Sequence, residues 1–281
     1  MDIDLIWNKF KPIIDIAIEE DISSGDITTN AILEKEKIGK AKVISKDRNV
    51  IAGLPFVEKI LKYFDSSLEI IFFKQDGDVA ENREKVLEIS GNLKSIISIE
   101  RILLNMFQHL SGIATMTHKY VEELKDSNTK LLDTRKTLPG YRMLEKYAVL
   151  QGKGKNHRLG LYDMYMIKEN HIEMAGNISN AIKKVRIHKD KENKLIEVEV
   201  KNLEEVQDAL NSYADIILLD NMDNLSITKA VKLIDKKSKI EVSGNITIGR
   251  LKNIARIGVD YISVGAITHS AKAADFSMLI E

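Results

Sequence analysis

From about residue 128 onward, short apolar runs alternate strictly with helix-like stretches, and this alternation limits the possible folds more than any other feature of the chain. The last four runs begin about 20–24 residues apart, the length of one strand–helix unit in a parallel sheet or barrel. No sequence repeat accompanies this period, so a solenoid is excluded. Strands are predicted over residues 130–133, 164–167, 195–200, 215–219, 239–242 and 261–264, with helices such as 203–212 and 225–235 between them.

The first 110 residues follow a different pattern. Residues 1–20 predict an amphipathic helix, because apolar side chains recur at helical spacing. The polar segment 19–29, which contains glycine, is expected to be a solvated loop. Strands that follow one another with one helix between them indicate a small antiparallel domain. We predict strands over 40–46, 68–73 and 85–89, a helix over 54–64 and a long helix over 96–117.

Composition excludes several classes of function. Lysine and arginine together (42) balance aspartate and glutamate (42), so no global field attracts nucleic acid or an anionic membrane. The chain has no cysteine, which excludes disulfides, thiolate metal sites and a cysteine nucleophile and fits a reducing cytosol. The acidic N-terminus does not resemble a secretory signal, and no apolar run approaches the ~20 residues that span a bilayer. We therefore expect a cytoplasmic protein that binds neither nucleic acid nor membrane.

Polar groups of chemical interest follow the predicted strands. The carboxyl ends of strands in a βα barrel converge on one face, and that face holds the active site. One such residue carries little information, but six successive endings are hard to explain as solvation. They are Asp133-Thr134-Arg135-Lys136, Lys168-Glu169-Asn170-His171, Glu199, Asp220-Asn221, Ser243-Gly244 and Gly265.

A local excess of positive charge lies within residues 131–170. This segment contains eight lysines and arginines against four acids. Lys146 and Lys153 are expected on a solvated helix face. Arginine offers a planar donor fork for carboxylate or phosphate, and lysine supplies a compact charge. Because Arg135, Lys136, Arg158 and Lys168 lie at or near strand ends, they predict a polyanionic substrate.

Two acids, Glu199 and Asp220, end consecutive strands. Neighbouring strands lie ~4.8 Å apart, so both carboxylates can reach one point. Two acids beside a polyanion site favour Mg²⁺, which is held by a few carboxylates and by substrate oxygens. The alternative is that Glu199 pairs with a lysine or arginine of the core. Ser243-Gly244 and Gly265-Ala266 follow the last two strands, where backbone N–H groups of many barrels bind a phosphate.

Nearly the whole chain resembles the quinolinate phosphoribosyltransferases, also called nicotinate-nucleotide pyrophosphorylases (carboxylating). The motifs that carry the resemblance occur in the same order as in that family. They are EDISSGDITT (20–29), ER (100–101), LDTRKTLPG (132–140), KYAV (146–149), NHRLGL (156–161), IKENHI (167–172), EVEV (197–200), LDNM (219–222), VSG (242–244) and THS (268–270).

The resemblance implies a fold, a reaction and a dimer. The fold would pair a small N-terminal α/β sandwich (1–112) with an incomplete, open α/β barrel of parallel strands (113–270), and a C-terminal helix at about 271–281 would pack back on the sandwich. The reaction would transfer phosphoribosyl from phosphoribosyl pyrophosphate to quinolinate with loss of CO₂, giving nicotinate mononucleotide in de novo NAD biosynthesis. The working unit would be a homodimer with shared active sites, with a hexamer left open as the larger assembly.

The resemblance also assigns roles to residues. Arg101 would reach the active site of the neighbouring subunit, and Arg135, His157, Arg158 and Lys168 would surround quinolinate. Lys136, Lys168, Glu199 and Asp220 form the expected catalytic set, with Glu199 and Asp220 holding Mg²⁺ directly or through water. Substrate contacts are further expected from Thr134, Ser243, Gly244, Asn245, Val264, Gly265 and Ala266.

Two departures from the family pattern leave room for a paralogue with an altered substrate. The family usually has a run of glycines where this chain has Gly152-Lys153-Gly154-Lys155, and a second glycine where it has Asn245. Asparagine tolerates positive φ better than most residues, so the phosphate loop can survive.

Two other functions are compatible with parts of the sequence pattern. A sugar-phosphate isomerase or aldolase would use Lys168 as a Schiff base. A scaffold protein on the same fold is disfavoured, because so much buried charge is costly without a ligand.

The remaining histidines have no expected role in catalysis. His171 is expected to orient a loop, and packing or surface positions are expected for His109, His118 and His188.

Overall fold

The computed structural model describes residues 1–33, 35–188 and 194–281, and the chain divides into two compact units. The first comprises Met1–His118, Thr137–Lys153 and Ile267–Glu281, and the second comprises Lys119–Lys136 and Gly154–Ala266. Residues 137–153, which are expected from the sequence to belong to the barrel, thus group with the first unit. Among the described residues, no helix is long and apolar enough to cross a membrane.

The first unit is built on a four-stranded antiparallel sheet. Its strands are β1 (Ile38–Ser45), β3 (Glu69–Phe72), β5 (Lys85–Asn92) and β12 (Phe276–Ile280), in the order β12-β1-β5-β3. Strand β1 is central, since its Val43 pairs with Met278 on one side and with Leu87 on the other. A second, two-stranded ladder joins β2 (Asn49–Val50) to β4 (Val79–Ala80).

Helices of the first unit follow the predicted apolar pattern. Helix α1 (Ile3–Asp21) buries Ile6, Phe10 and Ile14, and the side chain of Asp2 caps its first turn. The predicted helix over 54–64 is confirmed as α3 (Leu54–Phe64), and the long helix as α4 (Leu93–Glu122). Helix α5 (Arg142–Gln151) buries Lys146 completely, so the expectation of a solvated Lys146 is wrong, whereas Lys153 is exposed.

Two further expectations about this unit are corrected. Part of the segment expected to be a loop forms α2 (Ile27–Ile32), because the side chain of Asp26 accepts the Thr29 N–H and caps a helical turn. The expected C-terminal helix over 271–281 is instead the strand β12. Phe276 and Met278 alternate as buried residues along it. The ring of Phe276 lies 4.6 Å from that of Phe107, centroid to centroid.

The second unit is a sheet of six parallel strands, all of which the sequence predicts. Their order is β6-β11-β10-β9-β8-β7. Strands β6 and β7 therefore lie at opposite ends of the sheet, and the barrel is open. The strands are β6 (Lys130–Leu132), β7 (Tyr165–Ile167), β8 (Ile196–Val200), β9 (Ile216–Asp220), β10 (Lys239–Ser243) and β11 (Tyr261–Ser263).

Helices follow most of these strands, and one extended segment lies beside β6. The helices are α6 (Glu169–Ala175), α7 (Ile178–His188), α8 (Leu203–Asn211), α9 (Asn224–Ile234), α10 (Ile248–Ile257) and α11 (Ala266–His269). Beside β6, Lys155 donates its N–H to the carbonyl of Leu131 and accepts the N–H of Asp133 at its own carbonyl. This pairing fixes the position of Lys155 beside β6, and therefore the point from which the segment 156–158 continues.

We predict that Gly112→Ala lowers the free energy of unfolding by about 1–3 kcal/mol, as overpacking does. A Cβ at Gly112 would lie 2.2 Å from the carbonyl oxygen of Lys272 and 3.0 Å from the Cα of Ala273. Both obstacles are backbone atoms that cannot rotate away. Urea unfolding followed by circular dichroism measures the change.

Gly249→Ala, near the start of α10, is the matched control for Gly112→Ala. Among the described residues, nothing lies within 4 Å of a Cβ built there. Alanine is the better helix former, so we expect this variant to gain roughly 0.5–1 kcal/mol. A Gly112→Ala protein as stable as the wild type would contradict the close approach.

Candidate active site

The second unit brings together most of the residues that the sequence singles out. Parallel pairing places Glu199 of β8 opposite Leu218 of β9, and Asp220 opposite Ser243 of β10. Because side chains alternate along a strand, Asp220 lies on the same face as Leu218 and Glu199. The two carboxylates thus project from neighbouring strand ends, as predicted.

Lys168 and Glu199 form an ion pair at this end of the sheet. Lys168 Nζ donates to Glu199 Oε2 at 2.5 Å. The lysine side chain is 45% exposed and the glutamate side chain 15%. The lysine that pairs with Glu199 therefore lies at the mouth of the barrel and not in its core. The Lys168 N–H donates to Nδ1 of His171 at 3.0 Å, which confirms that His171 orients the start of α6. An amine held in an ion pair is not free to attack a carbonyl, which disfavours the Schiff-base alternative.

Arg158 is the most deeply placed cation of the site. It is buried, its Nη1 donates to the carbonyl of Met164 at 3.1 Å, and its buried Nε has no hydrogen-bond partner among the described residues. Burial lowers the pKa of Arg158, and the positive charge of Arg135 lowers it further, against the opposing charges of Glu197 and Asp163. The repulsion between the two guanidinium groups favours an added anion near Arg158.

His157 lies next to Arg158 and has a largely buried side chain. Its side chain is only 8% exposed and is turned inward, where Nε2 lies 3.0 Å from Glu197 Oε2 and 3.5 Å from Glu241 Oε2. The other ring nitrogen, Nδ1, accepts the Arg158 N–H at 2.7 Å. The His157 N–H in turn donates to buried Asp133 Oδ1 at 2.8 Å. Both ring nitrogens face protein groups, and His157 supports the Arg158 backbone through Nδ1.

Two buried glutamates beneath His157 are missed by the sequence reasoning as members of the site. Glu197 and Glu241 lie on β8 and β10 and are almost wholly buried. Among the described residues, none of their four carboxylate oxygens has a hydrogen bond of good geometry. Burial raises the pKa of Glu241, the charge of Glu197 raises it further, and His157 opposes the rise. In the sequence, the feature that could have identified them is a glutamate at an inward-facing position of an otherwise apolar strand.

These three side chains do not fit a metal ion. Their ligand atoms all lie within 4.8 Å of one another, as a metal site requires. However, Nδ1 of His157 accepts the Arg158 N–H, so the neutral ring keeps its proton on Nε2, the nitrogen that faces the glutamates. A ring protonated there has no lone pair for a metal. A proton held by the cluster offsets the buried charge instead.

The pair Glu199 and Asp220 does fit Mg²⁺. Carboxylate oxygens are the ligands that this ion prefers. Glu199 Oε2 bonds to Lys168 and Asp220 Oδ2 accepts Asn221 Nδ2 at 2.9 Å. Each carboxylate therefore keeps a second oxygen for a ligand. Within the described ranges no third histidine or acid joins them in a cluster, so substrate oxygens and water would complete the shell.

The loops expected to bind phosphate follow β10 and β11. Gly244 has φ of +90° and Asn245 of +49°, so the loop turns in the left-handed region that glycine and asparagine adopt most readily. Val264 donates its N–H to the carbonyl of Leu132, and α11 begins at Ala266 after Gly265. After β6, the Lys136 N–H donates to Thr134 Oγ1 at 3.1 Å and the Lys136 side chain is exposed.

Arg101 belongs to the first unit. It lies on an exposed face of α4, and its Nη2 is 3.8 Å from Glu100 Oε1. Together with Ile27 and Ile97 it lines a shallow hollow of about 400 Å³. Ile27 is 82% exposed, so the hollow combines a cation with uncovered apolar surface.

Comparison with known proteins gives a consistent result along the whole chain. Residues 26–111 match the model of the quinolinate phosphoribosyl transferase N-terminal domain, and residues 113–279 match that of its C-terminal domain. A probable nicotinate-nucleotide pyrophosphorylase [carboxylating] of Bacillus subtilis is 40% identical over 270 residues, which are 96% of this chain and 93% of the relative. Its counterpart in Synechocystis is 42% identical over 277 residues, which are 98% and 93%.

Solved structures agree with the sequence matches. NadC from Streptococcus pyogenes superposes with a TM-score of 0.93 at 40% identity, over 98% of this chain and 97% of that one. The nicotinate-nucleotide pyrophosphorylase from Francisella tularensis gives the same TM-score and identity, over 100% and 98%.

We predict that Glu241→Gln flattens the pH dependence of stability. Because the folded pKa of Glu241 is raised, its stabilising contribution is complete below its unfolded pKa and is lost as the pH rises through the folded pKa. The wild type should therefore lose more stability than the variant between about pH 5 and pH 9. Thermal unfolding across this range measures the difference, with the exposed Glu204→Gln as the control. A difference between wild type and Glu241→Gln that does not vary with pH would refute the assignment.

Proposed function

The chain belongs to the quinolinate phosphoribosyltransferase family, and from the geometry of its site we propose how it performs that reaction. The enzyme transfers phosphoribosyl from phosphoribosyl pyrophosphate to quinolinate, with decarboxylation, and releases nicotinate mononucleotide, pyrophosphate and CO₂. The observation that carries the proposal is the buried Arg158, whose Nε has no hydrogen-bond partner among the described residues, in the unit that also contains the Lys168–Glu199 ion pair at the strand ends.

Quinolinate is a dianion that matches these cations. Its two carboxylates lie on adjacent carbons of the pyridine ring, and a guanidinium binds a carboxylate through two parallel hydrogen bonds. The buried Nε of Arg158, which has no partner among the described residues, supplies one donor for such a bond. Nicotinate lacks one of the carboxylates and would leave a buried cation unpaired, which disfavours it strongly.

Phosphoribosyl pyrophosphate would occupy the neighbouring strand ends. We assign its pyrophosphate and ribose to Lys136, Glu199 and Asp220. Its 5′-phosphate would lie on the loops 243–245 and 264–266, where left-handed backbone at Gly244 and Asn245 lets N–H groups approach an anion closely. We also assign Mg²⁺ to Glu199 and Asp220; when bound, it neutralises the charge that develops on the leaving pyrophosphate.

Catalysis then rests on alignment and charge. The pyridine nitrogen is a weak nucleophile, so Arg135, Arg158 and Lys168 must hold it in line with the anomeric carbon of the ribose. The carboxylates of Glu199 and Asp220 stabilise the positive charge that the ribose develops during a loose displacement. After transfer, the cationic ring nitrogen stabilises the electron pair that stays on C2 when the 2-carboxylate leaves as CO₂, and C2 then takes up a proton from water. The decarboxylation therefore needs no base and no organic cofactor.

We further propose a cytoplasmic homodimer whose active sites are shared. Arg101 extends from an exposed face of α4, and Ile27 and Ile32 of α2 are largely uncovered. Exposed apolar surface around a cation is typical of a surface that a partner covers. In this arrangement Arg101 would donate to the substrate bound by the neighbouring subunit. The dimer is the minimum unit, and a hexamer would be built from such dimers.

One assay tests the proposed reaction. The protein is mixed with quinolinate, phosphoribosyl pyrophosphate and Mg²⁺, and nicotinate mononucleotide, pyrophosphate and CO₂ are followed together. We expect the three products in equal amounts, no CO₂ without phosphoribosyl pyrophosphate, and loss of activity after chelation of the metal. CO₂ released from quinolinate alone would contradict the order of steps, and activity that survives chelation would contradict the metal assignment.

We predict that Arg158→Ala weakens quinolinate binding by at least ~2 kcal/mol, because a charged hydrogen bond is lost from a desolvated site. Calorimetric titration of quinolinate into the protein gives the dissociation constant. Arg256→Ala, on the last turn of α10, is the control and should leave it unchanged. Equal use of quinolinate and nicotinate by the wild type would contradict the two-carboxylate site.

We predict that two inactive variants complement each other. Arg101→Ala and Lys168→Ala remove residues that, in a shared site, come from different subunits. Mixed dimers would therefore contain one site with neither substitution, and about a quarter of the wild-type activity should return at equal mixing. Activity is measured after subunit exchange, with each variant alone as the control. A fully active monomer in sedimentation would refute the shared site.

A further inference from the structure

Two asparagines connect the predicted phosphate loop to Asp220. Asn221 follows β9 and Asn245 lies in the loop after β10, and both have left-handed backbone, with φ of +55° and +49°. The Asn221 N–H donates to the carbonyl of Ser243 at 3.0 Å. The loops after two neighbouring strands are thus tied together at the place where they leave the sheet.

A chain of side-chain hydrogen bonds runs from one loop to the other. Asn245 Nδ2 donates to Asn221 Oδ1 at 3.0 Å, and Asn221 Nδ2 donates to Asp220 Oδ2 at 2.9 Å. A carboxylate can only accept, so the end of the Asn221 amide that faces Asp220 must be the nitrogen. The amide of Asn245 supports this orientation, because its NH₂ group donates to Asn221 Oδ1.

The Asn221 residue is exposed, but on one side it approaches Gly244 closely. A Cβ on Gly244 would lie 2.2 Å from Asn221 Oδ1 and 2.8 Å from its backbone nitrogen, so only glycine fits beneath it. Arg250 of α10 spans the same two loops, with Nη1 at 3.4 Å from the carbonyl of Asn245 and Nη2 at 3.3 Å from the carbonyl of Met222. The position of Asp220 therefore depends on the conformation of the loop that contains Asn245.

We propose that Asn221 and Asn245 are positioning residues for Asp220. Asn245 sets the orientation of the Asn221 amide, and Asn221 holds Asp220 Oδ2 so that the other oxygen, Oδ1, faces the phosphoribosyl pyrophosphate with its Mg²⁺. This inference rests on the proposed function for the identity of that ligand. It assigns a role to the residue at which this chain departs from the two glycines that usually follow the serine in the family.

The test measures ligand affinity without turnover. Phosphoribosyl pyrophosphate is titrated calorimetrically into the protein in the presence of Mg²⁺ and the absence of quinolinate, and quinolinate is titrated separately. Asn245→Gly and Asn221→Gly are the variants of choice, because glycine adopts their positive φ without strain and removes only the amide. We expect each to weaken phosphoribosyl pyrophosphate binding about five- to tenfold, with quinolinate affinity within twofold of wild type.

Two further variants separate positioning from general packing. If Asn245 acts through Asn221, the double variant Asn221→Gly with Asn245→Gly should bind no more weakly than Asn221→Gly alone. Asn221→Asp keeps the shape of the side chain but sets a carboxylate against Asp220, so its loss should exceed that of Asn221→Gly. Asn211→Ala on α8, whose side chain bonds only to Gln207 among the described residues, is the matched control and should bind like wild type.

Each outcome bears on one of the two proposals. The positioning role would be overturned if the losses of phosphoribosyl pyrophosphate affinity add up in the double variant, or if Asn245→Gly binds this ligand like wild type. In either case the proposed function stands as long as the wild type forms nicotinate mononucleotide. If the asparagine variants lose as much affinity for quinolinate as for phosphoribosyl pyrophosphate, the positioning role is also overturned, since the substitutions would then have disturbed the whole site. A wild type that forms no nicotinate mononucleotide would count against the proposed function itself.

Discussion

Charge buried beneath the mouth of an open parallel barrel is the constraint on which the second unit depends. Asp133, Glu197 and Glu241 are almost wholly buried and Arg158 is 8% exposed, and an unpaired charge in such a place costs several kcal/mol. The structure meets this cost locally. His157 lies between the two glutamates and the Arg158 backbone, Asp133 accepts from His157 and Asn156, and Glu241 has a raised pKa that favours its protonated form. Arg158 keeps a buried Nε that meets no acceptor among the described residues.

Under the proposed function, this buried cationic group favours a dianionic substrate. A guanidinium in water is solvated and selects little, whereas one that burial has stripped of water binds its counter-ion strongly. The His157–Glu197–Glu241 cluster lies under Arg158 and bonds to its backbone, so it holds the cation in a dry position that the arginine alone would not keep.

A second constraint acts on the loops that follow β9 and β10, namely the register in which these two strands pair. Asp220 and Ser243 are paired neighbours on β9 and β10, so the acid assigned to the metal and the loop assigned to the phosphate begin side by side. Gly244 gives the Asn221 side chain room to lie across this junction, and Arg250 binds a carbonyl of each loop. The two segments that we assign to different parts of one substrate are thereby bonded to each other.

Local pattern alone determined the strands, most helices and the strand-end residues of this protein. Apolar periodicity identifies all six barrel strands because each contributes its own signal within four or five residues, and parallel pairing then places Glu199, Asp220 and Ser243 together. Tertiary structure decided what depends on distant partners. The segment expected to be a terminal helix became β12 because the edge of β1 was open to it, and Lys146 was buried by packing that helical spacing does not reveal. His157 turned inward because Glu197 and Glu241, 40 and more residues away in sequence, meet it inside the barrel. The sequence shows which charges exist, but only the fold decides which of them lose their water.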